Sequence, residues 1–83
     1  SLYQTYLSLI QIDLIERKMD LAIDHVNKLL NLQPENSQAW YAAGLVMAQS
    51  GRKEEAIDAL RRSLTFDPNN RVAAELLGNV ERN

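Results

Sequence analysis

The sequence predicts an all-α fold: antiparallel helix pairs stacked into one domain of five helices over residues 1–83. Three observations predict it. Apolar residues recur at three- and four-residue intervals through most of the chain. Pro34 and Pro68 interrupt that periodicity 34 residues apart. At the same 34-residue offset, Ala22-Ile23-Asp24 returns as Ala56-Ile57-Asp58, Leu30 as Leu64, Asn36 as Asn70, Gln4 as Gln38 and Asp20 as Glu54. Tyr6 maps onto Trp40 and then Ala74, Leu9 onto Ala43 and then Leu77, and Gly44 onto Gly78. Many matches in one phase, both prolines included, mark a duplicated unit. The expected boundaries are 3–36 for the first unit and 37–70 for the second. Residues 71–83 form a partial third unit or a capping helix.

Each full unit reads as two helices. In the first, Tyr6, Leu9, Ile10, Asp13 and Leu14 fall on helical spacing, and a charged loop, Glu16-Arg17-Lys18, follows. Leu21, Ala22, Val26, Leu29 and Leu30 then form a second apolar stripe. Pro34 ends it, because proline lacks an N–H and restricts Gln33 before it. The third helix runs from Trp40, the one tryptophan, to Ser50. Trp40, Ala43, Gly44 and Met47 share one of its faces. A glycine inside a helix costs about 1 kcal/mol against alanine, so Gly44 implies a second helix passing close to the backbone. Gly51 is placed to end this helix in the left-handed conformation. In the fourth helix Glu54 and Glu55 occupy the first turn, where the helix dipole favours acid. Ala56, Ile57, Leu60 and Leu64 carry its buried stripe, and Asp67-Pro68-Asn69-Asn70 stops it. Asn36 and Asn70 are the expected N-caps of the helices that follow them. The fifth helix begins at Arg71 and reaches about Arg82.

These residues resemble the tetratricopeptide repeat, whose pattern is W-x2-L-G-x2-Y, then A-x3-F, then P. The second unit supplies Trp40, Ala43, Gly44 and Met47, then Ala56 and Leu60, then Pro68. The first is looser: Tyr6, Leu9, Ile10 and Asp13, then Ala22 and Val26, then Pro34. Ile10 stands in the glycine position, so the first two helices should sit further apart or cross at a shifted angle. Arg17 stands where Gly51 ends the later helix, and a left-handed Arg17 costs about 1 kcal/mol. The third unit keeps Leu77 and Gly78. The resemblance implies a right-handed superhelical stack, an α–α solenoid, with a concave face lined by the first helix of each pair. It assigns Tyr6, Trp40, Gly44, Ala22, Ala56, Pro34, Pro68 and Gly78 to packing and turns.

By the same resemblance, the concave face takes Gln4, Leu7, Gln11 and Leu14 from the first unit. The second gives Gln38, Tyr41, Leu45, Ala48 and Gln49, and the third gives Val72, Glu75 and Asn79. This set is apolar, with glutamine and tyrosine interspersed and almost no charge. Apolar anchors with a few side-chain amides suit a helix or extended segment of a protein partner. Some members of the family hold a chaperone's C-terminal carboxylate in a basic clamp. The corresponding positions here are Leu7, Gln11, Ala42, Val72 and Leu76, without a cation, which argues against that ligand. The leading expectation is a non-catalytic protein- or peptide-binding scaffold. The alternatives are a structural spacer or self-association segment of a larger protein, or an accessory region of an enzyme whose chemistry lies elsewhere.

Composition narrows the classes. A net charge of −2 gives no steering toward nucleic acid or anionic lipid. Arg52-Lys53 and Arg61-Arg62 are interleaved with Glu54, Glu55 and Asp58, unlike a nucleic-acid stripe. Apolar runs are too short for membrane insertion. The absence of cysteine, together with the lack of a signal peptide, fits a reducing compartment such as the cytoplasm. His25 is the one histidine and reads as a solvated helical residue beside Asp24, so a zinc site lacks ligands. Asp20, Asp24 and Lys28 have i,i+4 spacing. No phosphate loop, no nucleophile with a base at motif spacing and no cofactor motif is visible. The chain starts without methionine, and Leu2, Tyr3 and Ile12 lack a preceding helix to cover them. The expectation is a parent that continues N-terminally, or a homo-oligomer through that apolar face. Gly78 likewise hints at a further helix beyond the fifth.

Overall fold

The computed structural model describes residues 1–83: five α-helices and no strand, as the sequence predicts. They are α1 (Leu2–Ile15), α2 (Met19–Leu32), α3 (Ser37–Gln49), α4 (Lys53–Phe66) and α5 (Arg71–Arg82). Side chains at the connections set these limits. The Asn36 carboxamide oxygen accepts from the N–H of Gln38 and Ala39 at 2.8 and 3.3 Å, and that of Asn70 accepts from Ala73 at 3.1 Å. Each satisfies donors that the first helical turn leaves without a partner. At the C-termini of α1 and α3 the chain turns through a left-handed residue, Arg17 at φ 59° and Gly51 at φ 77°. The N–H of Lys18 then closes on Asp13 O at 2.8 Å, and that of Arg52 on Met47 O at 2.9 Å. One closure thus serves both hairpins. Glycine adopts that conformation without the Cβ clash that arginine bears. Arg17→Gly is therefore expected to stabilise the chain by about 1 kcal/mol, read as a higher thermal midpoint. An unchanged or lower midpoint would show that Arg17 contributes contacts of its own.

Connections this short make each helix reverse and pack on the one before it. Consecutive helices all touch, and α3 with α4 most extensively. α1 also meets α3, and α3 meets α5, but α2 and α4 do not meet. The odd-numbered helices converge and the even-numbered pair splays. The interior has two parts. Ile10, Ala22, Val26, Leu29, Ala39, Ala43 and Val46 belong to one, and Met47, Ala56, Leu60, Ala73 and Val80 form the other.

The close approach expected at Gly44 is present. A Cβ there would lie 2.5 Å from Leu60 Cγ and 2.6 Å from its Cδ2. In the first hairpin the volumes are exchanged: Ile10 replaces the glycine and Val26 replaces the leucine, both buried in one cluster. Trp40 is half-buried against that cluster, and its indole N–H donates to Pro34 O at 2.7 Å. Gly78 behaves differently. A Cβ added there meets only the Arg82 guanidinium, 3.4 Å away, so no helix of this chain requires the glycine.

Other expectations need correction. Leu21 is not part of the buried stripe of α2. It is 48% exposed, because it stands seven residues before exposed Lys28 and shares that side of the helix. Of the three apolar residues of α1 that no preceding helix covers in full, Tyr3 is covered from within the chain. It is half-buried and its hydroxyl donates to Gln38 Oε1 at 3.0 Å, while Leu2 and Ile12 remain exposed. His25 is not solvated. Its Nδ1 lies 2.6 Å from Oδ2 of buried Asp13, and its ring stands 6.0 Å from that of Tyr6. A carboxylate only accepts, so the contact places the proton on Nδ1. Of the acids at i,i+4 spacing, Asp24 pairs with Lys28 at 3.1 Å and holds its ammonium above the usual lysine value.

Candidate functional site

The residues expected on the concave face all lie on α1, α3 or α5, the three helices that converge. Gln4, Gln11, Gln38, Gln49, Val72, Glu75 and Asn79 are exposed, while Leu7, Leu14, Tyr41, Leu45 and Ala48 are half-buried. Leu7 and Leu14 rest on the first interior cluster, and Tyr41 and Ala48 on the second. Leu7, Leu14, Tyr41 and Ala48 thus each have a fixed base and a free outer surface.

Only part of the set gathers at one point. Gln38, Tyr41 and Val72 line an open cavity of about 360 Å³ together with Asn36, Ser37, Asp67 and Asn70. Gln4, Leu7, Gln11, Leu14, Leu45 and Gln49 lie outside it, along α1 and α3. Four of the lining residues escaped the sequence reading as site residues, because they sit at or beside connections, where periodicity carries no signal. Asn36 and Asn70 were legible only as caps.

The wall of this cavity is pinned from behind. Ser63, with no exposed surface, donates to Ser37 O at 2.8 Å, and Ser37 Oγ donates to Ser63 O at 2.7 Å. The Asn70 amide donates to Ser37 Oγ at 2.9 Å and Ser63 Oγ at 3.3 Å. One asparagine therefore caps α5 and ties it to the start of α3 and the end of α4. No buried side-chain polar atom lacks a partner, so hydrogen bonds within the network offset the desolvation of its members. Asp67 brings a carboxylate to a face expected to be nearly uncharged, and it accepts from Asn69 N–H at 3.0 Å. At the neighbouring edge, burial raises the Tyr3 hydroxyl above the usual tyrosine value, with Asn36 acting in the opposite sense.

Chemically, the cavity offers three amides, one hydroxyl, one phenol and one carboxylate beside the apolar Val72. It can accept and donate hydrogen bonds to a peptide backbone. No group of three His, Cys, Asp or Glu side chains stands close enough to hold a metal ion. No helix of the chain is long and apolar enough to cross a membrane.

Comparison with known proteins agrees with this architecture. A family model described as tetratricopeptide repeat matches residues 37–70. The chain is 33% identical over 76 residues to the BBSome complex member BBS4 of Bos taurus, covering 92% of the chain and 15% of that protein. It is 37% identical over 60 residues to the FK506-binding protein-like protein of Homo sapiens, covering 72% of the chain and 17% of that protein. The chain spans less than a fifth of the length of either relative.

Proposed function

From a chain that belongs to the tetratricopeptide-repeat family through residues 37–70, we propose a non-catalytic scaffold that binds a peptide or helix of a protein partner on its α1/α3/α5 face. In this reading 3–36 is a first repeat, 37–70 a second, and 71–83 a partial repeat or cap. The observation that carries it is the gathering of Gln38, Tyr41 and Val72 at one cavity whose wall is held by Ser37 and Asn70. A rigid wall lowers the ordering cost of association. Half-buried Tyr41 and Leu45 supply apolar anchors, and Gln38, Asn36 and Gln49 supply amides for a bound backbone. Leu7, Gln11, Ala42, Val72 and Leu76 present no cation, so the ligand is not recognised by a basic carboxylate clamp.

Binders selected from a displayed random-peptide library against the wild-type chain test this. Tyr41→Ala/Leu45→Ala is expected to weaken the selected peptides at least about tenfold, the loss of a buried aromatic anchor, with an unchanged circular dichroism spectrum. Val72→Asp, at a position 56% exposed, gives the same loss without touching the interior. Peptides that bind all three chains equally would remove the reading. A second reading, self-association or spacing within a larger protein, is favoured by exposed Leu2 and Ile12 on α1. Light scattering at rising concentration separates them, since a monomer throughout excludes self-association.

A further inference from the structure

The splay of α2 from α4 opens a cleft on the side away from the cavity described above, with a volume of about 410 Å³. Trp40 and Met47 of α3 form its floor, and Leu30 stands on its α2 wall, where no lining residue is charged. The α4 wall presents Glu54, Glu55 and Asp58. Two of these carboxylates have partners on their own helix surface: Arg52 stands 3.7 Å from Glu55, and Arg62 stands 3.2 Å from Asp58. Glu54 forms no ion pair. The cleft is an apolar slot with one uncompensated negative charge at its rim. Its floor is already in contact with a cation at the edge, since the Arg62 guanidinium lies 5.1 Å from the Trp40 ring centre.

We propose that this cleft is a second docking site, for a single lysine or arginine side chain presented by a partner protein. The methylenes of such a side chain lie along Leu30, Met47 and Trp40, and its charge reaches the rim at Glu54. Long basic side chains divide in this way between apolar stem and charged head. An acidic side chain would meet the unpaired Glu54 carboxylate. A purely apolar one would fill the slot but leave the charge at the rim unanswered. The site is separate from the α1/α3/α5 face, and it stands or falls independently of the function proposed there.

Trp40 is the one tryptophan, so its indole N–H resonance and its fluorescence report on the cleft directly. The ligands are short blocked peptides with a lysine or arginine between two leucines, and a matched peptide with norleucine in the basic position. The basic peptides are expected to shift the indole resonance and to saturate. The norleucine peptide should bind at least about threefold more weakly, the effect of one exposed charge pair. Glu54→Gln should weaken the basic peptides about threefold and Glu54→Lys about tenfold, while both leave the norleucine peptide unaffected. Glu54 is exposed, and circular dichroism checks that both variants fold. Tyr41→Ala/Leu45→Ala should leave the indole shift intact. Equal binding of basic and norleucine peptides, insensitivity to Glu54→Lys, or shifts confined to α1 and α5 would each overturn the proposal.

Discussion

Gly44→Ala is expected to destabilise the chain, although alanine is the better helix former. The added methyl would lie 2.5 Å from Leu60 Cγ and 2.6 Å from Cδ2, inside any real carbon–carbon contact. Leu60 has no exposed surface and α4 packs on α3 more extensively than any other pair, so there is little room to yield. Overpacking of this kind costs about 1–3 kcal/mol, and the gain in helix propensity returns about 1 kcal/mol. Leu60→Ala alone should cost about 2–5 kcal/mol, from lost burial and the cavity left behind. The double variant should cost less than the sum, by about 1 kcal/mol, because the new methyl enters the space the leucine vacates. Gly78→Ala is the control, with only the flexible Arg82 guanidinium near the added carbon. It should stabilise by about 1 kcal/mol. Urea unfolding of the four variants decides the matter. Additivity of the Gly44 and Leu60 changes, or a loss at position 78 equal to that at 44, would mean that close approach does not explain the glycine.

Gly44 was legible because a glycine in the middle of a helix contradicts local propensity, and the contradiction points to a neighbour. The caps at Asn36 and Asn70 and the left-handed turns at Arg17 and Gly51 were legible because the 34-residue offset aligns them. The same offset holds a signal that was passed over. Ala22, Ala39, Ala56 and Ala73 recur every 17 residues, and none has exposed surface. Alanine is too common for this recurrence to stand out from periodicity alone. The polar contacts were harder. Ser63 occupies the place of Leu29, and Asp13 and His25 occupy those of Met47 and Ala59. Comparison between units can flag a polar residue in an apolar slot. It cannot name a partner that lies on another helix, and so His25 read as solvated. The cavity beside Tyr41 was only partly legible for a related reason. Four of its seven lining residues lie at or beside the connections, which obey turn chemistry rather than helical period. The acidic cleft over Trp40 depends on α2 and α4 standing apart, a property of packing that no local pattern encodes.

The largest effect is expected at the Asp13–His25 pair, and it should be asymmetric. The Asp13 side chain is 7% exposed and that of His25 is 16% exposed. His25→Ala leaves a nearly buried carboxyl group in the α1/α2 seam without its partner. Leaving a buried carboxylate without its hydrogen-bond donor costs about 3 kcal/mol or more, above the cost for an uncharged group. Asp13→Met leaves an imidazole that can remain neutral and reach solvent at the edge, so the loss should be nearer about 1–3 kcal/mol, the cost of an unmade buried hydrogen bond. Asp13→Met/His25→Ala transfers into the first hairpin the residues that the second carries as Met47 and Ala59, both buried there. With both hydrogen-bonding partners replaced by apolar groups, the double variant should recover most of the stability lost by His25→Ala. Chemical denaturation of the three variants tests this. If His25→Ala is no worse than Asp13→Met, or the double variant no better than His25→Ala, the carboxylate is not the group that needs satisfying. A double variant no better than His25→Ala would assign the loss to the contact of the His25 ring with Tyr6 instead.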